Sequence, residues 1–321
     1  GAITIIADGD GGDPAVGSNV TVYAAGNITN GADSVMTDNG GGLATLVLNG
    51  TAGQTVAKEI AGAGAGQGTI QNSNTGNTVT FSEELGKTNE LLALTLDASS
   101  TTVFSAAVDA VTITSAGTGS YNAGLVKATT LNQTAGTITI DATDAGISLA
   151  NLAGTGPADV NLSDNTTLNF TIATGEATQV DATIDGTADG YGDLYFYNTT
   201  ANAPGVITLN DDIGATKELN SITIGSSTVA GSVATVDGAT IDIGSSTLNV
   251  KGGDAAAEDS LLEIKDSLTA TVLLTQSTGD AKLKTSDDAT ITGTIDAAGS
   301  GDGSSILNVT VQLKLLHLLE T

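Results

Sequence analysis

The segment Ile222-Thr-Ile-Gly-Ser-Ser-Thr-Val229 recurs nineteen residues later as Ile241-Asp-Ile-Gly-Ser-Ser-Thr-Leu248, with six of eight positions identical. Both copies alternate apolar and polar residues, which is the period of a β-strand, and then reach a turn-forming Gly-Ser-Ser. An interval of about 20 residues without a helical pattern fits one turn of a parallel β-helix better than a propeller blade or a leucine-rich repeat. This repeat decides the predicted fold.

Shorter runs of the same form lie on both sides of the repeat, at residues 92–96, 111–113, 137–140, 261–268, 281–285 and 306–311. One turn of a solenoid cannot bury its apolar face alone, so it must stack on its neighbours. Outward positions are expected to hold Thr, Ser, Asn and Asp. The isoleucines expected to point inward, as aliphatic ladders, are Ile222, Ile224, Ile241, Ile243 and Ile264.

The sequence therefore predicts an all-β chain that forms a right-handed parallel β-helix with turns of about 20 residues. Tandem β-sandwich domains are the alternative, because strands separated by tight turns can recur at similar spacing. The best helix candidate is the brief segment 82–86. Residues 1–90 are less regular than residues 91–321, so we expect an irregular N-terminal β section before the solenoid repeats, with the Gly-Ala run 61–66 as a loop or boundary.

The composition excludes several classes of function. The chain has 36 acidic residues and 9 basic ones, a net charge of −27 that repels nucleic acid. It has no cysteine, so disulfides, thiolate metal sites and cysteine nucleophiles are excluded. Hydrophobic residues make up 40% of the chain and aromatic residues 3%, which favours a thin aliphatic core over disorder. No stretch approaches the roughly 18 consecutive apolar residues of a membrane-spanning helix, so no transmembrane segment is expected.

Three segments resemble the passenger repeats of bacterial autotransporter surface antigens of the rickettsial outer-membrane type: residues 76–86, 91–97 and 108–114. The composition is also similar to that of bacterial surface-layer proteins, which are acidic, free of cysteine and rich in Ala, Gly, Thr and Asn. The resemblance implies a long right-handed β-helix outside the cell. It carries no functional residue over to this chain.

These observations predict a non-enzymatic, extracellular structural protein of a bacterial cell surface, either a surface-layer subunit or an autotransporter-like passenger. Its expected partners are further copies of itself or other cell-surface components. One alternative is an adhesin, whose β-helical shaft presents a binding site for a host or surface ligand. A second alternative is a glycan-active β-helix of the tailspike or lyase type. The chain has no Trp or Arg to build a saccharide cleft, and its single histidine, His317, cannot form a catalytic triad alone.

Aspartates among glycines are the candidate metal ligands. Hard carboxylate oxygens on flexible loops suit Ca²⁺, so a structural calcium site is predicted, with solvated turn aspartates as the alternative. Residues 8–13 begin like an EF-hand loop, and residues 189–194 resemble the calcium-binding nonapeptide repeat, one residue out of register. The candidate ligands are Asp8, Asp10, Asp13, Asp185, Asp189 and Asp193.

The second candidate site is aromatic. Four of the nine aromatic residues lie close together, namely Tyr191, Tyr195, Phe196 and Tyr197. Exposed tyrosines offer rigid, amphipathic contact area, so these residues are predicted to form a binding patch. The alternative is that the rings stack inside a widened turn of the solenoid.

Overall fold

The computed structural model describes residues 4–7, 18–29, 32–39, 41–121, 125–142, 146–151, 156–173, 175–198, 205–225, 234–238, 240–256, 258–286, 289–299 and 302–309. Across these residues the regular secondary structure is entirely β-strand. Consequently, the described part of the chain contains no helix long and apolar enough to cross a membrane.

The first ten strands are β1 (Thr4–Ile6), β2 (Val20–Ala24), β3 (Ser34–Thr37), β4 (Ala44–Leu48), β5 (Gln54–Val56), β6 (Ile60–Gly62), β7 (Thr69–Asn72), β8 (Thr78–Phe81), β9 (Leu91–Leu96) and β10 (Thr101–Phe104). The next ten are β11 (Val108–Ser115), β12 (Thr118–Tyr121), β13 (Val126–Gln133), β14 (Thr137–Ala142), β15 (Gly146–Ala150), β16 (Ala158–Leu162), β17 (Thr167–Ile172), β18 (Ala177–Val180), β19 (Ala182–Gly186) and β20 (Asp193–Asn198). The last nine are β21 (Gly205–Leu209), β22 (Ser221–Ile224), β23 (Ala234–Gly238), β24 (Ile241–Lys251), β25 (Ser260–Ile264), β26 (Ser267–Gln276), β27 (Ala281–Thr285), β28 (Thr290–Gly299) and β29 (Ser305–Val309).

Successive strands visit three sheet faces in a fixed order, which we name A, B and C. Face A contains β1, β3, β6, the first residues of β11 and β13, and β15, β18, β21, β23, β25, β27 and β29. Face B contains β2, β4, β7, β9, the last residues of β11 and β13, β16, β19 and the first residues of β24, β26 and β28. Face C contains β5, β8, β10, β12, β14, β17, β20, β22 and the remainder of β24, β26 and β28. The chain is therefore a parallel β-solenoid.

The pairing excludes the β-sandwich alternative. Every pair of named strands is parallel, whereas the sheets of a β-sandwich are antiparallel. Strands on both sides of residue 90 share a sheet, because β7 pairs with β9. The expected division at residue 90 therefore does not coincide with a break in the solenoid.

The length of one turn varies along the chain, and this variation changes the register that the sequence repeat predicts. Stacked outward residues are separated by 18 positions at Lys127 and Asp109 but by 30 at Asn169 and Thr139, compared with the predicted turn of about 20 residues. Ile222 pairs with Leu248 in the next turn, whereas Ile241 pairs with Ile213 on a different face. The expectation that the two copies of the repeat stack in one ladder is therefore wrong.

The core is a thin column of aliphatic side chains between the three faces. The prediction that Ile222, Ile224, Ile241, Ile243 and Ile264 point inward is confirmed, because all five are buried. Aromatic rings extend the core on face C in two ladders of stacked side chains. The first ladder is Phe81, Phe104 and Tyr121, and the second is Phe170 and Phe196.

The segment 82–86 is not helical, although its charged residues and leucine favour a helix. Leu85 instead forms parallel bridges to Ile60 and Val108, so it acts as a one-residue strand on face A. Gly86 follows with a φ of 74°, and a Cβ atom there would lie 2.1 Å from the carbonyl oxygen of Asp109. Only glycine accommodates this close approach, which turns the chain away from the core.

Candidate functional site: the outward surface of the solenoid

Two of the predicted calcium ligands hold the turn that follows β21. The carboxylate oxygen Oδ1 of Asp185 accepts the backbone N–H groups of Thr216 at 3.0 Å and Lys217 at 3.2 Å. The carboxylate of Asp189 lies 3.3 Å from the ammonium of Lys217. Both groups therefore connect neighbouring turns of the chain.

Asp193, the third predicted calcium ligand among the described residues, caps the start of a neighbouring strand on face C. Its Oδ1 accepts hydrogen bonds from Asn220 at 2.8 Å and Ser221 at 2.6 Å. Among the described residues, no group of three or more carboxylate or histidine side chains is placed to hold a metal ion. Asp8, Asp10, Asp13 and His317 lie outside the described residues.

The aromatic cluster is divided between the core and the surface. In β20, Phe196 is 1% exposed and stacks on Phe170 with ring centroids 5.5 Å apart. Tyr195 and Tyr197 alternate with it and point outward, half-buried among their neighbours. Tyr191 precedes the strand and is 37% exposed. Phe196 therefore belongs to the core, so its predicted place in the binding patch is wrong. The three tyrosines remain at the surface.

Tyr197 belongs to a row of polar groups that crosses face C. Asp141, Thr171 and Tyr197 pair in register on β14, β17 and β20. The Thr171 hydroxyl donates a hydrogen bond to Asp141 at 3.0 Å. Burial raises the pKa of the Asp141 carboxyl, and the hydrogen bond from Thr171 opposes that shift. Burial also raises the pKa of the Tyr197 hydroxyl, and the charge of Asp141 adds to this effect.

A cavity of about 290 Å³ lies beside β3 and β6 on face A. Two acidic residues line it, Asp33 and Glu59. Glu59 already accepts hydrogen bonds from the N–H of Thr88 at 2.9 Å and from its hydroxyl at 2.8 Å. A cavity of this volume is at the lower limit for small-molecule sites. The carboxylate of Glu59 that lines it is already hydrogen-bonded to the next turn of the solenoid.

A glycine-rich loop occurs twice, at residues 60–68 and 184–192. Each loop is followed, one turn later, by a segment with the pattern aliphatic-Gly-x-Thr-x-Glu-Leu, at residues 85–91 and 213–219. Sequence inspection missed this pair because the loops share little besides their glycines. The pattern of the following segments could have revealed it.

The two loops have equivalent backbone hydrogen bonds. Gly62 and Gly186 donate to the carbonyl groups of Asn89 and Lys217, at 3.1 and 3.0 Å. Gly66 and Gly190 donate to the carbonyl groups of the glutamates that follow, at 3.1 and 2.9 Å. The segment 189–194, which is similar to a calcium-binding repeat in sequence, therefore lies in a loop whose glycines serve packing between turns.

The outward side chains of face C are uncharged over a large continuous area. In the first two rows of β5, β8, β10, β12, β14 and β17, threonine occupies most positions and no residue is acidic or basic. These residues are Thr55, Thr78, Thr80, Thr101, Val103, Thr118, Ser120, Thr137, Thr139, Thr167 and Asn169. Strands about 4.8 Å apart give these side chains a regular, flat spacing.

Face B has a similar uncharged area on β2, β4, β7, β9, β11 and β13. Its outward positions hold Thr21, Tyr23, Thr45, Val47, Thr69, Gln71, Ala93, Thr95, Thr112, Thr114, Thr130 and Asn132, of which Val47 is covered by its neighbours and only 5% exposed. At its edge the carboxylate of Asp97 accepts hydrogen bonds from Gln71, at 2.8 Å, and from Ser73. The Thr-x-Thr alternation is visible in the sequence, but its grouping into two uncharged areas requires the register.

Outside these rows, charged outward residues occur at Asp141 on face C, further along the solenoid, and on face A. On face B, Asp159 is the next residue in the row of Thr130. On face C, Asp193 follows Thr167. Face A holds ion pairs such as Lys127 with Asp109 at 3.4 Å and Lys284 with Glu263 at 2.8 Å. The charges of this acidic chain are therefore unevenly distributed over its surface.

No protein-family model matches the chain, and no curated protein or solved structure matches it either.

Proposed function

We propose that this chain is a non-enzymatic structural protein of a bacterial cell surface, either a surface-layer subunit or an autotransporter-like passenger. The observation that carries the proposal is the continuous solenoid, in which 11 strands of face C stack in one parallel sheet. At about 4.8 Å per strand such a sheet is roughly 48 Å long. A rigid shaft of this kind suits a protein that spaces or builds a surface.

The outward side chains also support a structural role. Many of them bond to the equivalent residue one turn away, as Asn161 does with Asn132 at 3.1 Å and Asn169 with Thr139 at 3.2 Å. Such ladders satisfy polar groups along the shaft and add stiffness. The acidic, cysteine-free composition is compatible with an exterior location.

Fractionation of producing cells tests this proposal. An antibody against the purified chain should label the surface of intact cells, and the protein should be found in the envelope or released fraction. A cytoplasmic enzyme serves as the control for lysis. Recovery of the chain with that enzyme in the cytoplasm would contradict both forms of the proposal.

An adhesin is the second candidate, because Tyr195 and Tyr197 are adjacent outward residues on face C. With the exposed Tyr191 they offer amphipathic contact area on a rigid strand. The double variant Tyr195→Ala with Tyr197→Ala should reduce attachment to the ligand-bearing surface at least about tenfold. Tyr23→Ala, which removes a tyrosine that is 66% exposed on β2, is the matched control. If the double variant and Tyr23→Ala attach equally well, the adhesin candidate loses its only named binding site.

A further inference from the structure

The uneven charge distribution restricts how two copies of this chain can approach each other. At a net charge of −27 each copy repels the next, and burying an unpaired carboxylate in a contact adds a desolvation cost. The first two outward rows of face C, from β5 to β17, carry no charged side chain, and neither do those of face B from β2 to β13. These areas are therefore the described parts of the surface where contact has the lowest electrostatic cost.

We infer that the uncharged areas of faces B and C are the surfaces through which copies of this chain pack side by side. The inference rests on the proposed structural function and identifies the contact that such a function needs. Both areas present hydroxyl, amide and methyl groups on a flat sheet, and such groups can hydrogen-bond and pack against an identical surface. No charge has to be neutralised for this contact.

The size of the areas indicates weak, repeated contacts. Each area spans six strands about 4.8 Å apart, and its two outward rows take up about four residues per strand at 3.3 Å each, so it covers roughly 300 Å². A stable protein pair buries about 800 Å² per partner, so one contact of this size is transient. Many such contacts in an array are stable together because each additional one forms at high effective concentration.

Two different areas let each copy contact two neighbours. A subunit with one self-complementary surface forms only pairs, whereas two such surfaces that face different directions extend the assembly into a row. Faces B and C are consecutive in every turn of the solenoid. Both areas end by Asn169, so the outward charges of later turns, such as Asp193 on face C, stay outside the contact.

Charge substitutions of both signs test the inference. Thr112→Lys and Thr112→Glu alter face B, and Thr118→Lys and Thr118→Glu alter face C. Thr208→Lys and Thr208→Glu make the same changes at an outward position of β21 on face A. Sedimentation velocity and electron microscopy of negatively stained protein measure the concentration at which each variant assembles. Circular dichroism establishes that each variant is folded.

On faces B and C, a charge of either sign should raise the assembly concentration about tenfold, because the contact must desolvate it. At Thr208 the assembly concentration should depend on net charge alone. Lysine should lower it slightly, and glutamate should raise it slightly. If lysine and glutamate at Thr112 and Thr118 behave like those at Thr208, the inference is overturned and the proposed function stands. A wild-type chain that stays monomeric at every concentration also overturns it, whereas cell fractionation decides the proposed function separately.

Discussion

Among single residues, Tyr121 places a polar hydroxyl at the end of an aromatic ladder in the core. Tyr121 is 2% exposed and stacks on Phe104 with ring centroids 4.5 Å apart. Within the described part of the chain its hydroxyl has no hydrogen-bond partner. Burial accordingly raises the pKa of this hydroxyl. The ring stabilises the aromatic ladder, while the hydroxyl, unpaired among the described residues, carries a desolvation cost.

Tyr121→Phe is therefore expected to stabilise the protein. Removing a buried hydroxyl without a partner should raise the free energy of unfolding by about 1 kcal/mol, since the ring and its stacking are kept. Tyr23→Phe removes a hydroxyl from a residue that is 66% exposed and should have no measurable effect. Urea denaturation of both variants measures the difference. A loss of stability in Tyr121→Phe would show that the hydroxyl has a partner.

The carboxyl of Asp141 predicts a pH dependence of stability. Because burial raises its pKa in the folded chain, the folded state binds this proton at a higher pH than the unfolded state does. Stability should therefore rise as the pH falls from 7 through the raised pKa toward the ordinary carboxyl range near about 4. Asp109 and Asp211 have pKa values raised by burial as well and act in the same direction.

Asp141→Asn tests this linkage. The variant should melt at a higher temperature than the wild type at pH 7, and its melting temperature should rise less on acidification. Asp254→Asn removes one negative charge from an exposed position and controls for net charge. Thermal melts at a series of pH values provide the measurement. If the melting temperatures of the two variants depend on pH in the same way, the pH dependence arises from overall charge repulsion and not from Asp141.

At the scale of elements, glycine determines how neighbouring turns pack. A Cβ atom at Gly186 would lie 2.6 Å from the carbonyl oxygen of Ala188 and 2.9 Å from those of Tyr191 and Glu218. The equivalent Gly62 is enclosed in the same way. Because these neighbours are backbone atoms, they cannot rotate aside as side chains do.

Gly186→Ala should therefore destabilise the protein by about 1–3 kcal/mol, the usual cost of overpacking. Gly62→Ala should have a similar effect, since its loop has the same hydrogen bonds. A Cβ atom at Gly26 would meet no described atom within 4 Å, so Gly26→Ala should stay within about 0.5 kcal/mol of the wild type. Chemical denaturation compares the three variants. Equal stabilities would mean that the loops relax without cost.

At the scale of the whole molecule, the net charge of −27 opposes assembly. Divalent cations bound only by the folded or assembled state would stabilise that state by mass action. We therefore expect chelation to lower the melting temperature or disperse assemblies, and added Ca²⁺ to restore them. Mg²⁺ should substitute poorly because it dehydrates reluctantly and needs octahedral geometry.

Monovalent salt at matched ionic strength is the control for this experiment, because simple screening also reduces repulsion. Sedimentation and thermal melts are the measurements. If EDTA leaves both particle size and melting temperature unchanged, the aspartates serve only as solvated or hydrogen-bonded turn residues. Asp185 and Asp193 already show hydrogen bonds of that kind.

The sequence alone predicted a parallel β-solenoid, with tandem β-sandwich domains as the alternative, and assigned five isoleucines to the core. Alternation of apolar and polar residues is a local property, so Ile222 and Ile241 were correctly predicted to point inward. Tyr195, Phe196 and Tyr197 were nevertheless predicted to form one binding patch. The same alternation places Phe196 on the opposite side of the strand from the two tyrosines.

Only the tertiary structure decided which turns are neighbours and therefore which surfaces form. Turns of unequal length shift the register, so Ile222 lies beside Leu248 rather than beside its sequence copy at Ile241. The same register joins Thr101 to Thr78 and Thr118 in an uncharged area, and it pairs Asp185 with Asn161 on face B but Asp193 with Thr167 on face C. The physical reason is that side-chain direction follows from local strand geometry, whereas stacking depends on the length of every intervening loop.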